Sequence, residues 1–179
     1  MATAPEIILQ PLLVNDEATL LRIQDLRRRA WAANGEVPEF IARQDILNDE
    51  HDVHGLHWVI LHEGRPIAAA RLCIHDRVVA TPDPEGLEGY EQLIEVPIAC
   101  LSRLVVDPLF QRQGLPEVLR RERLKVASER CCRSVVAVAE EEAVMRPLER
   151  HGFVRLGPTR IRYLSYAPSI VLLKRIEYS

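Results

Sequence analysis

The sequence predicts an α/β fold in which a mixed central sheet is flanked by helices. Runs rich in Val, Ile and Leu with the length of strands lie toward both ends of the 179-residue chain, and stretches with helical spacing lie between them. One buried strand also leads through a tight turn directly into a long amphipathic helix. No repeat or linker divides the chain, so we expect one domain, residues 1–179.

The first half of the chain is predicted to contain a strand, two helices and a hairpin. Glu6 to Val14 forms the strand, and Asn15 caps a helix that ends at Asn34-Gly35. The apolar face of this helix consists of Leu20, Ile23, Leu26 and Ala30. The other elements are a short helix over Pro38 to Leu47 and a hairpin of two strands, Leu56 to His62 and Pro66 to His75.

The second half begins with a long loop, Thr81 to Pro97, of the kind that is often functional in a compact domain. The elements that follow alternate between strands and helices, as in a sheet covered by helices. They are strands over Ile98 to Val106, Arg133 to Ala139, Phe153 to Leu156 and Ser169 to Ile176, and helices over Leu115 to Cys131 and Glu141 to His151.

Composition and charge exclude several functional classes. The net charge of −3 argues against a nucleic-acid binder, and the densest basic run is predicted to be a solvated helix face: Arg120, Arg121, Arg123 and Lys125. No apolar stretch reaches the roughly 20 residues of a membrane span, and no secretory signal is visible at the N-terminus. The four cysteines fit no CxxC pattern and are predicted to be buried reduced thiols, so we expect a cytoplasmic protein with no membrane partner.

The most informative segment is Leu101 to Leu119. A buried strand stops at Asp107-Pro108, and the turn Gln111 to Gly114 then enters a helix. Such a turn directs successive backbone N–H groups outward at the positive end of the helix dipole, which favours binding of a phosphate or pyrophosphate. Gly114 allows a ligand to approach the backbone closely, and Pro116 lies in the first helical turn, where its missing N–H is tolerated. The alternative is an ordinary strand-to-helix turn.

This segment resembles the acyl-coenzyme A signature of the GNAT superfamily of N-acyltransferases, a Val-Asp-Pro-like turn followed by Gln/Arg-x-x-Gly-x-Gly/Ala and a helix. Gln111 and Gly114 match, whereas Pro116 replaces Gly or Ala and removes one N–H from the turn. A second segment, Leu148 to Phe153, resembles the Tyr-Glu-Lys-x-Gly-Phe element of the same family. The two segments stand at the right separation with a Val-rich strand between them, which implies the GNAT fold over nearly the whole chain.

The resemblance also implies which residues bind the acyl donor, acetyl-CoA or another acyl-CoA. Leu104, Val105 and Val106 would contact the pantetheine arm, and the backbone N–H of Leu104 would point at the thioester carbonyl as it gains negative charge. The residues that would line the pyrophosphate are Arg112, Gln113, Gly114, Leu115, Pro116 and Glu117.

The acid and base are less well defined by the resemblance. The family's tyrosine, often proposed to protonate the leaving thiolate, is Leu148 here, and Tyr163 or Tyr166 could replace it. A thiol with a pKa of about 8.5 leaves readily without an acid, whereas an amine with a pKa of about 10.4 needs a base at neutral pH. The candidates for catalytic side chains are Glu95, Ser102, His75 and Glu140.

A histidine cluster raises the question of a metal site. His51, His54 and His57 lie close to Glu50 and Asp52 in the sequence. Because they span a predicted loop-to-strand transition, the three rings would not share one face, and we interpret them as surface polar residues. No metal is therefore expected.

The N-terminal half also resembles, more loosely, the acyl-homoserine-lactone synthases and related N-acyl amino acid synthases, another branch of the same fold. The matching segments occur in the same order: Leu26 to Trp31, the acidic run Asp45 to Asp52, Ala70 to Leu72 and Leu101 to Leu104. This second resemblance implies a small polar amine as acceptor. Arg27, Arg71 and Arg103 would then bind a substrate carboxylate or serve as structural charges.

The function predicted from these resemblances is transfer of an acyl group, expected to be acetyl from acetyl-CoA, to the primary amine of a small molecule, by a monomer or homodimer. Two alternatives stay open. One is a lactone-synthase-like acyltransferase that takes its acyl group from an acyl carrier protein. The other is a non-catalytic module that binds acyl-CoA as a sensor, which Leu148 and Pro116 favour because both depart from the family pattern.

Overall fold

The computed structural model describes residues 9–33, 49–159 and 169–178. In these residues a seven-stranded sheet has the order β1-β2-β3-β4-β5-β7-β6. The strands are β1 (Leu12–Leu13), β2 (Leu56–His62), β3 (Arg65–His75), β4 (Ile98–Val106), β5 (Ser134–Ala139), β6 (Val154–Pro158) and β7 (Ile170–Arg175). The helices are α1 (Glu17–Ala33), α2 (His51–His54), α3 (Leu115–Glu129) and α4 (Glu142–Arg150). Among the described strands only β4 and β5 pair in parallel; the other neighbours are antiparallel.

Helices cover both faces of this sheet. Ile23, Leu26 and Ala30 of α1 pack on one face, against alternate residues of β2, β3 and β4. Apolar residues of α3 and α4 pack on the opposite face, among them Leu119 and Leu148. Their partners on the strands are the residues that alternate with those facing α1. No helix among the described residues is long and apolar enough to cross a membrane. The predicted mixed α/β fold is confirmed.

Most element boundaries agree with the sequence to within two residues, and the differences have local causes. The cap of α1 is Asp16 rather than Asn15, because the Asp16 carboxylate accepts a hydrogen bond from the N–H of Thr19 at 2.7 Å. The predicted loop Thr81 to Pro97 contains two short 3₁₀ turns, Pro84–Leu87 and Glu91–Leu93. The helix expected over Pro38 to Leu47, the end of α1 at Asn34-Gly35 and the start of the first strand lie outside the described residues.

Three predictions about solvent exposure are wrong. Arg120 and Arg123 are only 4% and 2% exposed, because they lie on the side of α3 that faces the sheet. His57 is buried as well, since it is the second residue of β2 and is held in the buried contacts of Asp52 rather than in a surface loop. Cys131 is exposed just beyond the end of α3, whereas the other three cysteines are buried as expected.

Candidate active site

The parallel strands β4 and β5 separate along their length. They pair only where Ile98 to Leu101 lie beside Ser134 to Ala137, and β4 then continues to Val106 without β5 beside it. On its other side β4 has a bulge, because Arg103 and Leu104 stand opposite the single residue Ala70 of β3. Arg103 has a left-handed φ of +53°, and within the described sheet Leu104 has no register partner on β3 or β5. The gap between β4 and β5 is therefore bordered by a strand whose backbone is partly unpaired.

A cavity of about 330 Å³ occupies the gap between the two strands. Its walls are formed by Leu101 to Leu104 on β4 and Val136 to Ala139 on β5. Side chains from both faces of the sheet complete the lining: Arg71, Arg120, Arg123, Val144 and Leu148, with Trp31, Asp83 and Leu87. The cavity therefore passes between the strands and places charged groups beside an apolar channel.

The turn after β4 enters α3 through a glycine in the left-handed conformation. Gly114 caps α3 with a φ of +76°, and a Cβ added there would meet no atom within 4 Å. The N–H groups of Glu117 and Val118 donate to Gly114 O at 3.0 and 3.3 Å, whereas the N–H of Leu115 has no acceptor within the helix. Pro116 lies in the first turn, as predicted. The backbone of Gly114 is therefore open to a ligand, whereas Leu115 is fully buried, and the role of both residues in binding pyrophosphate stays a prediction.

Asp107 fixes the start of this turn. Its Oδ1 accepts a hydrogen bond from the N–H of Leu109 at 3.1 Å, and its Oδ2 accepts one from Arg29 Nη1 at 2.6 Å. Because Asp107 is only 2% exposed, the charge-assisted bond from α1 holds the turn firmly against the sheet.

The side chain of Glu117 joins the two segments that resemble the GNAT family. Its Oε1 lies 2.8 Å from His151 Nε2, and its carboxylate also accepts hydrogen bonds from Arg120 at 2.5 Å and Arg121 at 2.9 Å. Burial alone would raise the pKa of Glu117, but the bonds from His151 and Arg121 outweigh it and lower that pKa. A carboxylate so surrounded by cationic groups contributes little net negative charge at the start of α3.

Two aspartates and two arginines form a buried network beside β4. Arg27 Nη1 donates to Asp52 Oδ2 at 2.6 Å, and Arg71 Nη1 donates to Asp52 Oδ1 at 2.8 Å. Arg71 also binds both oxygens of Asp49, with 3.0 Å from its Nη2 to Oδ2. His57 donates from Nε2 to the carbonyl oxygen of Asp52 at 3.0 Å, and burial lowers its pKa. The network connects α1, α2, β2 and β3.

The network reaches the cavity through Arg71 and Arg103. Arg71 Nε donates to Ser102 Oγ at 3.0 Å, and Arg103 Nη2 donates to Asp49 Oδ2 at 2.7 Å. Burial would raise the pKa of Asp49, but hydrogen bonds and charge from Arg71 and then Arg103 hold it well below its usual range. Of the three arginines predicted to bind substrate, Arg71 and Arg103 line the cavity and Arg27 does not.

The predicted catalytic side chains lie at two different ends of β4. Ser102 lines the cavity, and so does Glu140, which follows β5 and accepts a hydrogen bond from Ser169 Oγ at 2.9 Å. Glu95 precedes the other end of β4, where its Oε1 lies 3.8 Å from Arg175 Nε. His75 is paired with Ile98 at that same distant end. Ser102 and Glu140 are thus the two that the fold brings to the cavity.

Other predicted residues are placed as follows. Leu148 lines the cavity where the family has tyrosine, while Tyr163 and Tyr166 lie outside the described residues. The structure holds no group of three or more His, Cys, Asp or Glu side chains suited to a metal ion in the parts of the chain that it describes. Arg120 and Arg123 were not foreseen as cavity residues.

Comparison with known proteins agrees with this geometry. Residues 20–153 match the model of the acetyltransferase (GNAT) family. Similar solved structures include the ribosomal-protein-S18-alanine N-acetyltransferase from Escherichia coli, with 17% identity over 95% of this chain and 96% of that one and a TM-score of 0.64. No curated protein sequence matches the chain.

Two further structures extend the likeness. The histone acetyltransferase HPA2 and related acetyltransferase from Corynebacterium glutamicum has 16% identity over 94% of this chain and 98% of that one, with a TM-score of 0.68. A NatC complex bound to Gag peptide and CoA matches with 16% identity over 97% of this chain and all (100%) of that chain, with a TM-score of 0.64. At such identities these likenesses establish the fold, and the family match covers most of the sequence. The chain belongs to the acetyltransferase (GNAT) family.

Proposed function

We propose that this protein transfers an acyl group from an acyl-coenzyme A to the primary amine of a small molecule. The single observation that carries the proposal is the separation of β4 and β5, since β4 is the strand that leads into α3 through Gly114. This separation opens an apolar channel beside a strand with unpaired backbone groups, and the same strand leads to the turn for which we propose anion binding. These are the three features that a pantetheine thioester with a pyrophosphate requires.

The donor would be held mainly by backbone groups. The N–H of Gly114 and the dipole of α3 would bind the pyrophosphate, with Arg112 and Gln113 beside it. The exposed edge of β4 from Leu104 to Val106 would pair with the amides of the pantetheine arm. Backbone donors are fixed before the ligand arrives, so this mode of binding loses little conformational entropy.

The Leu104 N–H would act on the reacting thioester. When the amine nitrogen attacks the carbonyl carbon, negative charge develops on the carbonyl oxygen, and a preorganised donor there contributes roughly 10²- to 10³-fold in rate. The C–N bond forms, the C–S bond breaks, and the thiolate leaves without an acid because its pKa is about 8.5. Leu148, in the position of the family's tyrosine, is consistent with such a departure.

The proton of the acceptor amine needs a carboxylate near the gap. Glu140 follows the last residue of β5 and lines the cavity, so we propose that it accepts this proton directly or through a water molecule. Asp83 and Glu141 line the cavity as well, and their negative charge would attract a protonated amine. Ser102 also lines the cavity, and its hydroxyl can donate or accept a hydrogen bond. We propose that it orients the acceptor amine.

Direct binding and turnover test this proposal together. Calorimetry with CoA and acetyl-CoA should give saturable binding, and incubation of acetyl-CoA with a panel of small amines should release free thiol only when an accepted amine is present. Binding without thiol release from any amine would favour the sensor module. The absence of binding would contradict the proposed donor.

A second candidate is supported by the buried network. The residues that resemble the lactone synthases, Arg27, Asp52 and Arg71, meet in one hydrogen-bonded cluster. A donor carried on an acyl carrier protein is therefore worth testing in the same assay. Transfer from the carrier protein, with none from acyl-CoA, would favour this candidate.

A further inference from the structure

Two arginines of α3 form part of the cavity wall although they are almost fully buried. Arg120 is 4% exposed and Arg123 is 2% exposed, and both line the gap between β4 and β5. Arg123 donates from Nε to Leu119 O at 3.1 Å and from Nη1 to Arg71 O at 3.3 Å. Both acceptors are neutral carbonyls, so Arg123 has no ion-pair partner among the described residues.

Direct ion pairs with described residues compensate the charge of these two arginines only in part. Among the described residues Arg120 has one carboxylate partner, Glu117, which also binds Arg121 and His151. Burial and, after it, the neighbouring charge of Arg120 together lower the pKa of Arg123 to about 9. A buried guanidinium is normally compensated by an anion, because an uncompensated charge is costly to remove from water. The cavity is the space from which such an anion can reach Arg123.

The location of Arg123 indicates which part of a ligand would carry the negative charge. Arg123 lies eight residues after Leu115, which is about 12 Å along the helix axis and too far for a pyrophosphate at the start of α3. Its Nη1 instead contacts the carbonyl of Arg71, the residue paired with Ser102 beside the bulge at Leu104. That is the level at which the thioester would lie. The anion therefore belongs to the acyl end of the donor, a few atoms from the thioester carbon.

We propose that the preferred acyl donor is the CoA thioester of a short dicarboxylic acid, whose free carboxylate binds Arg123, with Arg120 beside it. This inference rests on the proposed function, since it assigns the donor of that same reaction. A guanidinium offers two parallel donors to a carboxylate, and a charge-assisted pair is stronger than a neutral hydrogen bond. The transfer itself is unchanged: the amine displaces the thiolate, and the distal carboxylate stays on the product.

Calorimetry with three ligands tests the proposal without an acceptor: CoA, butyryl-CoA and succinyl-CoA. The two acyl groups have four carbons each and differ mainly in the terminal carboxylate. We expect succinyl-CoA to bind at least tenfold more tightly than butyryl-CoA. In Arg123→Gln this ratio should fall to about one, while the affinity for CoA itself stays within about twofold. Lys125→Gln is the control, because Lys125 is on the same helix with a side chain that is 62% exposed, and it should keep the preference.

The possible failures are distinguishable. Equal binding of succinyl-CoA and butyryl-CoA by the unaltered protein would overturn the inference and leave the proposed function standing. No binding of any of the three ligands would contradict the proposed function itself. If Arg123→Gln does not fold, the comparison of succinyl-CoA with butyryl-CoA on the unaltered protein still tests the preference for a dicarboxylic acyl donor. If the variant folds with a lowered Tm and keeps the preference for succinyl-CoA, the assignment to Arg123 is wrong.

Discussion

His151 Nε2 lies 2.8 Å from Glu117 Oε1, so the end of α4 is tied to the first turn of α3. The contact joins two segments that stand apart in the sequence and that separately resemble one family. It also determines how the first turn of α3 behaves toward an anion, because Glu117 would repel a phosphate if its charge were free. With His151, Arg120 and Arg121 around it, that repulsion is offset, and the helix dipole remains effective.

Gly114→Asp tests the turn as a pyrophosphate site. The added carboxylate would project into the open space over Gly114 and repel the phosphates, so we expect CoA affinity to fall at least tenfold in calorimetry. The left-handed φ of +76° adds a stability cost of about 1 kcal/mol, which the fold should survive. Gly64→Asp is the control, because Gly64 has a φ of +73° and equally open surroundings at the β2–β3 turn. Equal CoA affinity in the two variants would remove the turn from the donor site.

Much of this site could be predicted because its signals are local. Asp107-Pro108 ends a strand, Gly114 adopts a conformation that glycine adopts readily, and Pro116 fits only a first helical turn. Each of these residues acts through its own backbone, so the order strand, turn and helix follows from neighbours in the sequence. The boundaries of β4 agree with the prediction for the same reason.

The cavity arginines could not be predicted from the charge pattern. Leu115, Leu119 and Ala127 are buried at intervals of four or eight residues, and Arg123 occupies the missing position of that stripe. A mixed basic run suggested a solvated surface, whereas the spacing placed Arg123 on the buried face. What makes this burial tolerable is the separation of β4 from β5 after Leu101, a feature of strand pairing that no local signal records.

Asp49 should make the stability of the protein depend on pH in acid. Its pKa is lowered in the folded state, so its contribution is present above the unfolded pKa of about 3.9 and is lost as the pH falls through the lower folded value. Urea unfolding from pH 6 down to pH 2 should show this loss, at up to about 1.4 kcal/mol per pH unit. Asp49→Asn should be less stable at neutral pH and have a shallower slope in acid. Glu50→Gln, which removes an exposed carboxylate, should keep the original slope.

Leu148→Tyr tests whether the family's tyrosine is dispensable here. If the thiolate leaves without an acid, turnover with an accepted amine should change by less than tenfold. Leu148 is 4% exposed in a packed cluster, so the larger ring should cost about 1–3 kcal/mol of stability. Val144→Tyr places an aromatic ring at the same cavity from an exposed position of α4 and controls for altered cavity shape. A gain of much more than tenfold in Leu148→Tyr alone would show that the acid is missing rather than unnecessary.

Arg103→Lys distinguishes a structural arginine from one that binds the acceptor. Arg103 lines the cavity, yet its Nη2 already donates to Asp49 Oδ2 at 2.7 Å. We therefore expect the lysine variant, which keeps the charge but loses the planar fork, to lower Tm by roughly 3 to 8 °C. Acceptor KM and CoA affinity should both stay within about twofold. Arg28→Lys, in an exposed ion pair on α1, should leave Tm nearly unchanged.

The opposite result would assign Arg103 to the substrate. A carboxylate on the acceptor would bind the guanidinium fork through two parallel hydrogen bonds, and the lysine variant would then raise acceptor KM tenfold or more with Tm unchanged. The backbone favours the structural role, because Arg103 holds a left-handed φ of +53° in the bulge that exposes Leu104. Loss of the bond to Asp49 would loosen that bulge, so kcat should fall together with Tm. The structural role therefore predicts a lower kcat and a lower Tm at constant acceptor KM. Acceptor binding does not predict this combination, and kinetics measured beside the thermal melt distinguish the two.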